Sequence, residues 1–156
     1  MNISETIDMK GRLTIQRRDR SYNMLDEITI NNSIVLTGRD LVAKLFIKEK
    51  IDPISHIAVG MGSTAVNPEK DEALETPLFR KAIAPVDPTQ NLTTTSDGRK
   101  KVTVTAELDF NEANGALTEA GLFNAASGGV MYNRVVFPAI NKTSDFKLTL
   151  LWDIVF

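Results

Sequence analysis

The chain of 156 residues carries 18 lysines and arginines against 20 aspartates and glutamates, and its net charge is −2 with its one histidine neutral. Charges that nearly cancel give no global basis for binding nucleic acid or a membrane surface, and the length suits one domain with a full hydrophobic core. The absence of cysteine excludes disulfides, thiolate metal sites and thiol catalysis together.

Residues 1–11 hold Glu5, Asp8 and Lys10 and no apolar run, so they do not read as a secretion signal. Nowhere does an apolar stretch approach the ~18 residues a bilayer-spanning helix needs. Residues 12–17 alternate Leu13 and Ile15 with polar neighbours, and residues 25–30 bring Leu25, Ile28 and Ile30. The polar connection between them, residues 18–23, is of hairpin size, so a β-hairpin with a basic tip is predicted. Lys10, Arg12, Arg17, Arg18 and Arg20 make the chain's one concentrated positive stretch. A solvated hairpin accounts for it, and so does docking to an acidic partner surface, for which Arg17, Arg18, Arg20 and Tyr22 are the candidate interface. Residues 1–33 are read as an arm and hairpin, and residues 34–156 as the main domain.

Thr37-Gly38-Arg39-Asp40 has the spacing of a capped helix start. Leu41, Val42, Leu45 and Phe46 then place apolar pairs on one side, with lysines towards the end, so a helix over 38–49 with that face buried is predicted. Pro53 prevents its continuing. Residues 54–60 read as a buried strand, with Ile57 and Val59 on one face. Gly60-Met61-Gly62-Ser63-Thr64 invites comparison with a phosphate-binding loop, but no Gly-Lys-Ser/Thr ending follows and no helix opens after it. His56, between apolar neighbours, reads as a packed residue.

A strand is predicted over 79–84, then an exposed connection over 87–101 that is poor in large apolar residues. Val102, Val104, Ala106, Leu108 and Phe110 alternate with Thr103, Thr105, Glu107 and Asp109, giving one apolar face. Strands over 116–123 and 130–137 follow, the latter ending before Pro138. The last stretch, residues 146–156, is the most strongly patterned. Phe146, Leu148, Leu150, Trp152, Ile154 and Phe156 share one face, and the domain is read as ending with this strand. The fold predicted is mainly β with one principal helix (α+β): an antiparallel β-sandwich packed against a helix and preceded by the hairpin.

Thr118-Glu119-Ala120-Gly121-Leu122-Phe123-Asn124, followed by a glycine turn and Met131-Tyr132-Asn133-Arg134-Val135-Val136-Phe137, is similar to the "EAGLF" strand pair of tail-fibre and related tail proteins of tailed bacteriophages. Residues 54–62, with Ala73-Leu74 and Phe79-Arg80-Lys81-Ala82, resemble the "ITHMAVGDG … AL.NEVYRKAI" run of the same family's baseplate-attaching amino-terminal domains. The resemblance spans roughly residues 31–156, and none of its motifs is a catalytic signature. It implies a structural component of a virion tail or tail-like contractile apparatus, assembled in the bacterial host cytoplasm. In such a protein the domain attaches a fibre or other peripheral protein to the baseplate, usually as a homo-oligomer. The partners implied are other tail or baseplate proteins, a fibre protein among them. The family's fibre shaft has no counterpart after Phe156, and the basic hairpin is additional to the family's pattern.

No cofactor, metal, nucleic acid or membrane is expected, and the serines lie in turns or at strand ends rather than in a nucleophile elbow. Glu107 and Asp109 have the spacing of a carboxylate pair on one strand face, but a solvated face is the ordinary reading of such alternate positions. The non-enzymatic reading is preferred. The alternative function is carbohydrate binding for receptor recognition by the tail, with Tyr22 and Tyr132 as exposed platforms. Glu119, in the motif carrying the resemblance, is a candidate either for a local hydrogen bond or for an interface.

Overall fold

Alternating apolar residues produce two five-stranded antiparallel sheets in the computed structural model, which describes residues 9–156. The arm segment of residues 1–8 lies outside the described residues. The first sheet has the order β2-β1-β10-β7-β6, built from β1 (Lys10–Arg18), β2 (Met24–Asn31), β6 (Leu92–Thr94), β7 (Lys100–Leu108) and β10 (Lys147–Val155). The second runs β3-β9-β8-β4-β5, from β3 (Ser33–Ile34), β4 (His56–Gly60), β5 (Pro77–Ala82), β8 (Gly115–Phe123) and β9 (Met131–Lys142). Inward side chains of both sheets, among them Leu13, Leu150 and Trp152 from the first and Ile57, Leu117 and Leu122 from the second, join in one core cluster. The mainly β fold with two facing antiparallel sheets is therefore as the residue pattern predicts.

The hairpin is more deeply integrated than a preceding element. β1 pairs with β10 over nine positions, from Lys10 opposite Val155 to Arg18 opposite Lys147, which puts it in the middle of the first sheet. The indole Nε1 of Trp152, fully buried, donates to Asn32 Oδ1 at 2.7 Å. That bond fixes the corner where the chain crosses from β2 into β3.

Helix α1 (Leu36–Phe46) begins earlier than its capping signal suggests. Its N-cap is Val35, with no side-chain cap, and Thr37 Oγ1 instead donates to the Met131 carbonyl at 2.7 Å. The threonine lies inside the first turn, where Gly38 N and Arg39 N donate to Val35 O at 3.0 and 3.2 Å, while a neighbouring loop takes the orphan donor Leu36 N, to Pro68 O at 2.8 Å. A Cβ on Gly38 would stand 1.9 Å from the Tyr132 carbonyl oxygen, so only glycine lets the helix lie this close to β9. Leu41 is buried, but Leu45 and Phe46 are exposed, Phe46 at 87 %. The expected apolar face is thus covered only where the helix crosses the sheet; its last turn projects beyond.

Other boundaries moved for local reasons. The 87–101 connection has structure of its own: α2 (Pro88–Asn91), capped by Asp87 accepting from Thr89 N at 2.9 Å, leads into β6, which pairs with β7. β9 runs through Pro138 to Lys142, because the β8–β9 register is irregular between Leu117 and Glu119 and a proline is tolerated where ladder pairing lapses. Phe156 is 41 % exposed and Phe110 only half-buried, in the turn after β7, so neither completes the face that its strand pattern assigned it. Tyr132 is buried and unavailable as a sugar platform.

Candidate functional site

Glu119 is the most constrained polar group of the motif-bearing strand pair. Leu117, Ala120 and Leu122 point into the core, and the register shift between Leu117 and Glu119 turns Glu119 to the outer face of the second sheet, as a bulge re-aims a side chain. There it is completely buried. Oε1 accepts from Gly62 N at 3.0 Å and Thr76 N at 2.7 Å. Oε2 accepts from Glu75 N at 3.0 Å and from Arg134 Nε at 2.9 Å.

Arg134, 2 % exposed, lies opposite Gly121 while Glu119 lies opposite Val136, so the pair is a cross-strand diagonal on one face. Its Nη1 donates to Thr64 O at 3.1 Å and to the Asp71 carboxylate at 3.0 Å. Its Nη2 stands 3.7 Å from the Glu75 carboxylate. Glu75 accepts from Thr64 N at 3.1 Å, and hydrogen bonding with Thr64, first with its side chain and then with its backbone, holds the carboxyl below the ordinary range. Thr118 Oγ1 donates to Gly62 O at 2.7 Å. Together these contacts lock the whole 60–76 connection onto β8 and β9.

The glycines of the Gly60-Met61-Gly62 loop serve this closure. A Cβ on Gly62 would lie 2.5 Å from Glu75 Cβ and 2.6 Å from Glu119 Oε1. The loop's backbone donors do surround an anion, but it is the protein's own carboxylate. A phosphate would have to displace Glu119 and sit beside Asp71 and Glu75.

The hairpin tip is structured differently from a free basic loop. Asp19 Oδ1 accepts from Ser21 N and Asn23 N, both at 2.9 Å, bonds that hold its carboxyl below the ordinary range. Arg17 forms a two-pronged pair with Asp26 and lies over the Phe146 ring. Arg18 stacks on Tyr22 and donates to Gln16 Oε1 at 2.7 Å. Arg20 stacks on Phe110 and donates to Ser144 O at 3.0 Å. Tyr22, in the left-handed region at φ 65°, donates its hydroxyl to Glu107 at 3.0 Å.

The structure thus gathers Arg18, Arg20 and Tyr22 at one end of the first sheet and places Glu119 in the other sheet. Lys10 and Arg12 do not join them. Arg12 lies six residues before Arg18 along β1, roughly 20 Å at strand spacing, and pairs with Asp153 at 3.1 Å. Glu107 bonds Lys147 at 3.0 Å as well as Tyr22, so it anchors the tip. His56 is half-buried, its Nδ1 2.8 Å from Ser55 Oγ.

Two charged residues went unmarked in the sequence reading. Arg134 interrupts the apolar run of β9, a signal in itself because a cation there needs a buried partner. Lys142, 2 % exposed, donates to three carbonyls and Asn114 Oδ1 at 2.9–3.3 Å. Burial lowers its pKa. Among the described residues no cluster of three or more His, Asp or Glu side chains is disposed to hold a metal, and no helix is long and apolar enough to cross a membrane. No family model, curated protein or solved structure matches the chain.

Proposed function

We propose that this protein is a structural component of a virion tail or tail-like contractile apparatus, an adaptor attaching a fibre or other peripheral protein to the baseplate. The observation that carries the reading is the use made of the resemblance motifs. Thr118, Glu119, the Gly60–Gly62 loop and Arg134, drawn from separate motifs, converge on one buried node. Every acceptor contact of Glu119 is directed at a donor within the fold, so the motif acts as a scaffold signature rather than a reaction centre. A rigid two-sheet body that displays loops suits attachment through protein–protein contacts.

The surface assigned to docking is the hairpin tip. Arg18 and Arg20 are held by stacking on Tyr22 and Phe110, so two guanidinium groups are presented at low cost in ordering. Charged patches of this kind orient partners more than they add affinity. Arg17 is committed to Asp26 and supports the hairpin from within.

The test is to complement a strain lacking this chain with Arg18→Glu/Arg20→Glu and image purified tail particles. We expect the variant to be folded and soluble and to be lost from particles. Parental occupancy of the variant overturns the assignment of the hairpin tip. Absence of the unmodified protein from every tail fraction overturns the tail reading itself.

A further inference from the structure

The last turn of α1 ends in open solvent. Phe46 keeps 87 % of its surface exposed and Ile47 74 %, with the exposed Leu45 beside them. Adjacent large apolar side chains left bare and rimmed by charge mark a contact surface. The cluster is also held in one shape. Glu49 N donates to Lys44 O at 3.2 Å, and Lys48 takes the left-handed conformation at φ 56°, where glycine is the usual residue. A helix end closed in this way presents Phe46 and Ile47 with little backbone freedom left to lose on binding.

A receiving surface lies on the open side of the sandwich. There the outer edge of β2, which ends the first sheet, faces the part of β9 beyond Asn133 and Arg134, the two residues that β3 pairs. Among the described residues a groove of about 530 Å³ runs between them. Ile28 and Ile30 line it on one side and Pro138 and Ile140 on the other, with the buried Ile15 between. The core covers Ile28, Ile30 and Ile140 only in part.

We infer that Phe46 and Ile47 of one copy of this chain insert into the β2–β9 groove of another. Charge complementarity favours a second copy as the occupant. Lys48 and Lys50, both exposed, flank the helix tip, while Asp26 lines the groove and Glu27 follows it on β2. Glu27 accepts from the neutral Gln16 side chain at 2.7 Å, a bond that leaves its negative charge in place to orient an arriving cation. A chain's own helix does not reach its own groove. A Cβ on Gly38 would touch the Tyr132 carbonyl, so α1 crosses β9 there, about 20 Å of strand before Pro138. Phe46 lies only about 12 Å of helix past that crossing, and it is exposed. The contact therefore joins copies. A tip and a groove at separate places on one surface build either a two-fold pair through reciprocal contacts or a ring, and in both each chain makes two contacts. This association does not rest on the tail reading.

The two halves of the contact can be disabled separately and then mixed. Phe46→Ser/Ile47→Ser removes the tip and keeps the groove; Ala139→Arg, at an exposed groove position, fills the groove and keeps the tip. All three positions are exposed, so both variants should keep the parental melting temperature, which is measured first. By light scattering on the purified full chain we expect a multimer for the parent and a monomer for each variant alone. An equimolar mixture of the two variants should return a two-chain species and nothing larger, because one intact tip meets one intact groove. A monomeric parent, a multimer that survives either folded variant, or a mixture that stays monomeric overturns the proposal.

Discussion

Arg134 Nε lies 2.9 Å from Glu119 Oε2, and both side chains are within 2 % of complete burial. Removing one member of such a pair strands a charge in a dry site, at a cost of about 3–5 kcal/mol. Arg134→Met should therefore lower unfolding free energy by that amount in a denaturant titration. Glu119→Gln should also destabilise, because its amide N–H₂ would confront donors from the backbone or Arg134. A loss below about 1 kcal/mol for Arg134→Met would mean that the node is not as closed as its distances indicate.

Gly62→Ala tests the fit of the loop on Glu119 separately from charge. The added methyl meets Glu75 Cβ and the Glu119 carboxylate inside 3 Å, an overpacking worth about 1–3 kcal/mol. Ser63→Ala, one residue on and exposed, should stay within about 0.5 kcal/mol of the parent. Hydrogen exchange should locate the Gly62→Ala effect at Met61 N, which donates to Thr76 O at 2.9 Å.

In the main core, Leu150 is 1 % exposed at the centre of β10. Leu150→Ala should cost about 2–5 kcal/mol, with the spread set by how far the site collapses. Equilibrium unfolding followed by Trp152 fluorescence reads this directly, since Trp152 lies on the same face two residues on.

Acid should destabilise the fold through carboxylates held below their ordinary range. Asp26 is lowered chiefly by its hydrogen bond with Arg17, and Glu112 by the hydrogen bond from Asp109 N and then by Lys81. The folded state binds these protons more weakly than the unfolded chain does. Their stabilisation is therefore complete above the ordinary values of 3.8 and 4.5 and is lost as pH falls through the lower folded values. Glu112→Gln should flatten the acid limb of a stability–pH curve, and an unchanged limb would refute its share.

Tyr132 gives the opposite limb. Burial pushes its phenol from 10.0 up to about 12, so the folded state keeps the proton that the unfolded chain releases. Stability should fall as pH rises from about 10 towards 12. Its hydroxyl has no hydrogen-bond partner, so Tyr132→Phe should be neutral or stabilising at pH 7 and should remove this alkaline loss. Denaturant midpoints of the two proteins at pH 7 and pH 11 decide the matter.

Strand faces were legible in the sequence because a period of two needs no knowledge of the partner. Leu148, Leu150, Trp152 and Ile154, or Leu13 and Ile15, are buried wherever their strands pair. The same applies to the hairpin of β1 and β2, whose register forms across a short connection. What depended on distant segments was not legible. Leu45 and Phe46 have the spacing of a buried helix face, yet only the crossing with β9 decides which turn is covered. Thr37 has the spacing of a cap, but the helix starts one residue ahead of it, where the distant Pro68 carbonyl takes Leu36 N. Glu119 and Arg134 stand within one recognisable pair of strands, and the sequence left open whether the glutamate closes a bond or faces a partner. The irregular register at Thr118 settles its direction, and donors from Gly62, Glu75 and Thr76, more than forty residues away, settle its burial. Local pattern fixes which side chains seek the core; a buried charge can be placed only when the chain's far segments close around it.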